Sequence, residues 1–381
     1  MKKFDLAIVG GGVLGAFHAY HALLKGLSVV LFEKDTYPQG STIQNFGQVV
    51  PSGLAGKWFE YGRESLAIYE KIQAKANISV RKNGSIYIAS SNEEMAVLEE
   101  LAQKYTAVSY ENQVWTAEQV LEKYPDVRRD YVRGALYFPQ EVSVEPHQMI
   151  ASLLAYLEQK EGLVYASRTP IIALQEGSEG VKLTSSQGTT WTAERALICG
   201  GYESQWLFPE IIKNSGLIIS KLQMLQTVPL PSVVLPGNVL TGLTIQRYES
   251  FQTCDAHAHL PVLEREMELK KWGVHVLFKQ AMDGSIILGD SHEYAPIVEK
   301  ETLGLGTKEE IDRLILDEAA RILSVPLKDK IARKWAGMYS QHEADIFDTM
   351  VTPSVRILTG IGGKGMTSSA GFAYHSLENW S

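Results

Sequence analysis

Leu6-Ala7-Ile8-Val9-Gly10-Gly11-Gly12-Val13-Leu14-Gly15 is the stretch that decides the fold. Its four apolar residues read as a buried parallel strand, and Val13, Phe17, Tyr20 and Leu24 then recur at helical spacing over residues 13–25. Gly26 stops that helix, and Ser28-Val29-Val30-Leu31-Phe32 reads as a second strand. A strand, a helix and a strand in this order imply a parallel sheet covered by helices, an α/β architecture.

The glycines between the first strand and the helix match G-x-G-x-x-G. Gly10 permits the tight turn, Gly12 lets backbone approach a pyrophosphate, and Gly15 lets the helix pack closely on the strand. N–H groups opening the helix then face phosphate, with the helix dipole in support. Glu33, followed by Lys34, closes the second strand where an acid would accept hydrogen bonds from ribose hydroxyls. An acid there suits an unphosphorylated ribose, so FAD or NAD is favoured over NADP.

Outward from this start, residues 57–75 and 92–105 read as amphipathic helices with a strand, Ser85-Ile86-Tyr87-Ile88, between them. Pro146 opens a helix that runs to Gln159, a position proline tolerates. Short β-like runs alternate with turns over 163–198. Residues 266–270 and 308–322 read as helices around strands at 274–278 and 285–288, and a strand at 355–358 leads into a glycine-rich turn and a last helix.

At 381 residues the chain exceeds one compact core, and about two to three domains are expected. The net charge of −8 argues against nucleic acid or an anionic membrane as partner, yet permits a local basic pocket for a small anion. Two cysteines, Cys199 and Cys254, make no disulfide framework. Met1-Lys2-Lys3-Phe4-Asp5 enters a short apolar run that glycines interrupt, unlike a secretory signal. No apolar stretch approaches the ~20 residues of a membrane span, so a cytoplasmic location is expected.

Three further segments favour FAD over NAD: Gly40-Ser41-Thr42-Ile43-Gln44-Asn45-Phe46-Gly47-Gln48, then Ala196-Leu197-Ile198-Cys199-Gly200-Gly201, then Thr359-Gly360-Ile361-Gly362-Gly363-Lys364-Gly365-Met366-Thr367. With the N-terminal motif, and in this order over nearly the whole chain, they resemble the family of D-amino-acid oxidase, glycine oxidase and sarcosine oxidase. That resemblance implies a Rossmann-like FAD-binding domain of the glutathione-reductase type, with an inserted α+β substrate domain carrying a mixed or antiparallel sheet. Residues 1–78, 140–215 and 332–381 would form the first domain, and residues 79–139 and 216–331 the second. Ser41 and Thr42 would contact the FAD pyrophosphate, and Asn45, Phe46, Gly47 and Gln48 would run beside the isoalloxazine ring. Gly200 and Gly201 would lie beside the adenosine half, with Pro170 and Ile171 on adenine. The closing segment, Gly362, Gly363, Lys364, Gly365, Met366 and Thr367, would put a helix N-terminus against the ring edge that becomes anionic on reduction.

The same resemblance implies hydride transfer from the carbon next to a neutral amine to flavin N5, giving an imine that water hydrolyses. Bound FAD is expected without a covalent link, because Gly337 stands where flavinylated relatives carry a cysteine. The familiar anchors are also absent. Tyr339 replaces the arginine by which the glycine oxidase branch clamps a carboxylate, and Thr367 replaces a sarcosine oxidase lysine. The lysine that helps oxygen react maps to about Ile287, which leaves the electron acceptor open between oxygen and another carrier.

Candidate donors for a substrate acid are Lys364, Arg333, Arg247, Lys221 and His292, with Tyr248, Gln48 and Tyr339 as neutral partners. Residues 289–294 and 221–224 resemble a little-described branch proposed to act on N-alkylated aminophosphonates, so both an amino acid and an aminophosphonate stay open as substrate. Cys254, His257 and His259 make a His-x-His loop without a second ligand pair, and no metal is expected. His18 and His21 read as ordinary helix residues. The competing functional readings are an NAD-linked dehydrogenase and a non-catalytic FAD-containing subunit.

Overall fold

The computed structural model describes residues 3–380, so Met1, Lys2 and Ser381 lie outside it. The start forms as read: strand Lys3–Val9, helix Val13–Leu24 and strand Val29–Phe32. Leu6, Ile8, Phe17, Val29 and Leu31 are buried together, because a strand covered on both faces and one stripe of the helix must leave water at once. Each such side chain contributes roughly 1.5–3 kcal/mol when fully buried.

Lys3–Val9 is the middle of the first sheet, parallel to Val29–Phe32 on one side and to Thr190–Ile198 on the other. Thr190–Ile198 pairs in turn with Val355–Thr359, also parallel. The first and last strands of the fold therefore share one sheet, whose order is Phe347–Thr352, Val355–Thr359, Thr190–Ile198, Lys3–Val9, Val29–Phe32, Val164–Ala166. An antiparallel hairpin, Ile171–Gly177 and Gly180–Ser185, extends from Thr190–Ile198. The last helix, Gly365–Glu378, packs on Val13–Leu24 and on helix Gly56–Gln73.

The second sheet has nine strands. Ile218–Thr227 pairs antiparallel with Ile331–Gln341, Ile286–Gly289 and Glu293–Pro296. Leu277–Gln280 and Asn238–Leu240 continue it to Ser85–Ala89, Gly134–Phe138 and Gln113–Thr116. One pair, Asn238–Leu240 with Ser85–Ala89, is parallel, which makes the sheet mixed. Helix Glu309–Ile322 covers one face through Ile311, Ile315 and Ile322, packed on Leu225, Phe278 and Leu288.

Two expectations shift. The strand Ile331–Gln341 falls by residue range almost wholly in the FAD-binding part, but it pairs along its length with Ile218–Thr227 of the second sheet. A long strand partner outweighs chain proximity to the C-terminal segment. The strand expected at 274–278 forms instead at Leu277–Gln280, and His275 precedes it with its N–H bonded to Asp290 O at 3.0 Å. No helix among the described residues is long and apolar enough to cross a membrane.

Candidate active site

One cavity of about 840 Å³ opens between the carboxyl ends of the parallel strands and the second sheet, within the size range of small-molecule sites. Gly10 and Gly12 line its N-terminal corner. Gly10 has φ +108°, and a Cβ there would stand 2.3 Å from Cys199 O, so no other residue makes this turn. Gly15 does not line the cavity, and a Cβ on it would strike Gly10 O at 2.0 Å, the close helix–strand packing expected of it. The Glu33 carboxylate accepts from Gly11 N–H and Asp35 N–H, each at 3.1 Å. Burial raises its pKa, opposed by these two bonds. Thr42 Oγ1 accepts from Val13 N–H at 3.0 Å and ties the 40–48 loop to the helix start.

That loop is held by its own side chains. Asn45 donates to Ser41 O and Thr42 O at 2.9 Å and accepts from Gly47 N–H at 2.7 Å, while Ser41 donates to Met338 O at 2.7 Å. Ser41, Thr42, Asn45, Phe46, Gly47 and Gln48 all line the cavity, as do Lys34 and Glu33. Gly200, Gly201, Pro170 and Ile171 line the adjoining wall. The start of helix Gly365–Glu378 closes the opposite side through Gly362, Gly363 and Lys364, then Gly365, Met366 and Thr367. A turn only glycine can make, an acid aimed into the cavity and a second helix N-terminus along its length fit FAD.

The far end is polar and draws on separate elements: Arg247 and Tyr248 at the end of helix Gly242–Arg247, His275, Asp290 and His292 on neighbouring segments of the second sheet, and Tyr339 across from them. Arg247 donates to Tyr294 OH at 2.9 Å. His292 bonds Tyr339 OH at 3.1 Å and Gly273 O at 3.2 Å through its two ring nitrogens. Burial, with the Arg247 charge beside it, pushes His292 down to about 3 and His275 well below the usual imidazole range. Burial also pushes the Asp290 carboxyl up to about 7, against the pull of Arg247. Both tyrosines, Tyr248 and Tyr339, are raised by burial and stay neutral donors.

Of the expected acid-binding residues, Tyr339, Tyr248, His292, Gln48, Arg247 and Lys364 come together at the cavity. Arg333 does not. It shares a strand face with Tyr339 but lies six positions earlier, a span of ~20 Å at strand rise, and its guanidinium sits 4.8 Å from the Trp335 ring centre. Lys221 is buried on the face opposite the cavity-lining Leu222, donating to Leu303 O at 2.8 Å. Lys364 reaches the cavity already paired with Asp345 and Glu249. Ile287 has Lys279 as its antiparallel partner, which is buried with Nζ 3.3 Å from Glu145 Oε1 and does not line the cavity.

Sequence patterns do not single out His275 and Asp290, although Asp290 lies in the 289–294 run that marks this region. In the Cys254 loop, His257 bonds Gln246 O at 3.1 Å. Among the described residues, the group with the composition of a metal site is His275, Asp290 and His292.

These features define a dinucleotide-binding fold whose cavity ends in a second, polar region. The chain belongs to the FAD dependent oxidoreductase (DAO) family, whose model matches residues 5–377, and FAD is its cofactor. It is 26% identical over 220 residues to glycine oxidase of Bacillus licheniformis, a match covering 55% of this chain and 57% of that one. To one of the subunits that make up the opine oxidase of Rhizobium meliloti it is 24% identical over 353 residues, covering 88% and 82%. Its fold matches crystalline glycine oxidase from Geobacillus kaustophilus with a TM-score of 0.79 at 17% identity, over 100% of this chain and 95% of that one. The sequence matches to glycine oxidases span little more than half of those relatives, between 55% and 59%.

Proposed function

We propose that this protein oxidises a carbon–nitrogen bond in a small amino or N-methylamino compound that carries an acid group. The observation behind this reading is one continuous cavity, with the dinucleotide cradle at one end and Arg247, Asp290, His292 and Tyr339 at the other. FAD, when bound, supplies the hydride acceptor and the chain supplies placement. Arg247, whose charge is permanent, anchors the substrate acid, with Tyr248 and Tyr339 as neutral donors. Several dispersed donors suit a carboxylate or a phosphonate, so both an amino acid and an aminophosphonate belong in the substrate class. Walls from two sheets line the space in which the C–H bond is presented. Oxygen or another carrier then removes the electrons.

The test is anaerobic addition of amines, amino acids and aminophosphonates to purified holoenzyme, followed by its visible spectrum. Bleaching by at least one amine is expected. A spectrum untouched across the panel, but bleached by dithionite, would favour a non-catalytic FAD-containing subunit. The NAD-linked alternative is set aside by the chain's membership of an FAD-dependent family.

A further inference from the structure

The polar end of the cavity holds a carboxylate that anchoring an acid does not use. Asp290 Oδ1 is buried without a hydrogen-bond partner among the described residues, and so is His275 Nδ1, 3.2 Å away. His292 Nδ1 is 3.9 Å from the same oxygen. Asp290 and His275 both line the cavity, so the pair stands in the wall of ligand space. Arg247 is not ion-paired with Asp290 among the described residues, and its partner is Tyr294 OH. An unpaired buried carboxylate is costly, and its persistence beside a cavity points to a ligand that completes it.

What completes it is set by charge. His275, Asp290 and His292 bring ligand atoms within 4.8 Å of one another, as a divalent metal would need. Arg247 faces the same three groups, and its charge already depresses both imidazoles. A dication there would meet a fixed positive charge in a low-dielectric site, which is unfavourable. A zwitterion avoids the conflict, with its acid on Arg247 and a single positive charge on Asp290.

We propose that Asp290, held against His275, binds the substrate ammonium and takes its proton, so that the amine is neutral when the neighbouring carbon gives up hydride. The assignment rests on the amine-oxidising reading above. In this step an N–H bond breaks with its electron pair left on nitrogen, and an O–H bond forms on Asp290. The protonated carboxyl then has a donor for His275 Nδ1, which fills the hydrogen bond missing between the two atoms. The two-electron oxidant of the following step is the FAD of this family. The titratable and charged groups facing Asp290 are Arg247, His275, His292, Tyr248 and Tyr339. Of these only Arg247 is charged near neutral pH, since burial holds both imidazoles and both phenols neutral. A carboxyl pushed up to about 7 is matched to accepting a proton at that pH.

The probes are glycine betaine and 3,3-dimethylbutanoate, two carboxylates of one shape that differ by a fixed positive charge and offer no neutral amine to oxidise. Each is titrated into FAD-loaded protein, and binding is read from the perturbed visible spectrum. At about pH 8, betaine is expected to bind at least about tenfold more tightly, and to weaken as pH falls below about 7 while the neutral isostere does not. Asp290→Asn should bring the two affinities together, and Asp290→Glu should restore a preference for betaine. Equal affinities in the wild type, a preference unchanged in Asp290→Asn, or no response to either probe would each overturn the ammonium site. The wild-type comparison does not depend on any variant folding. Flavin bleaching by an amine without a betaine preference would leave the proposed function standing and remove only Asp290's role. A betaine preference without bleaching by any amine would do the reverse.

Discussion

Lys364 Nζ stands 2.9 Å from Asp345 Oδ1 and 3.0 Å from Glu249 Oε1, at the mouth of the helix that closes the cavity. The lysine is largely buried, and these two carboxylates raise its pKa in spite of that burial. It is thus a neutralising partner within the wall and a poor anchor for a substrate acid. Lys364→Gln leaves two negative charges beside the helix N-terminus, which should disfavour an anionic reduced ring. The flavin midpoint potential should fall, on the order of 30 mV for a two-electron couple, which equals about 1.4 kcal/mol. Substrate affinity should change little, and an unchanged potential would place Lys364 outside the ring's field.

Arg247 and Arg333 separate the anchoring readings. Arg247→Gln should weaken binding of the best screened substrate by about 2–5 kcal/mol, because the acid would be left buried and unpaired. Arg333→Ala, which removes a group stacked on Trp335 away from the cavity, should leave that affinity intact. Anaerobic titration of both variants with the same substrate checks this, and the opposite ranking would make Arg333 the anchor.

FAD should leave the polypeptide on acid or heat denaturation and remain in the supernatant. Gly337 offers no thiol, and the site has no room for one: a Cβ there would lie 2.8 Å from Gln44 O and 3.0 Å from Leu222 Cδ1. Gly337→Ala should cost about 1–3 kcal/mol of stability through overpacking, read from urea denaturation. Yellow colour in the washed precipitate would contradict the non-covalent assignment.

Glu141 gives stability a pH dependence of known sign. It is fully buried, and burial pushes its carboxyl up to about 7 against hydrogen bonds from Ser52 N–H and Tyr110 OH. In the unfolded chain a glutamate titrates near ~4.3. Between these values the folded state keeps a proton that the unfolded state has released. The stability present at low pH is therefore lost as pH rises from about 4 to about 7. Glu141→Gln does not titrate, so relative to wild type it should gain about 1–3 kcal/mol at pH 8 over pH 5. Urea denaturation at the two pH values measures this, and an equal difference at both would show that Glu141 ionises normally.

Local patterns decided what the sequence alone could show. The strand, glycine turn and helix at residues 6–25 depend on neighbours a few positions apart, and the turn at Gly10 admits one residue type, so chain order was enough. Glu33 is read from its offset after the glycine turn, and the 40–48 loop and the 359–367 segment from their resemblance to a family; all three line the cavity. The polar end did not follow. His275, Asp290 and Tyr339 lie on or beside strands of the second sheet and meet through its register, where a shift of one residue turns a side chain to the other face, and Arg247 reaches them from the end of a separate helix. The same register sends Lys221 away from the cavity, and the length of the strand carries Arg333 past it. Pairing of Lys364 with Asp345 and Glu249 is likewise a tertiary event, since charge neutralisation depends on approach in space and leaves no periodic mark in the sequence.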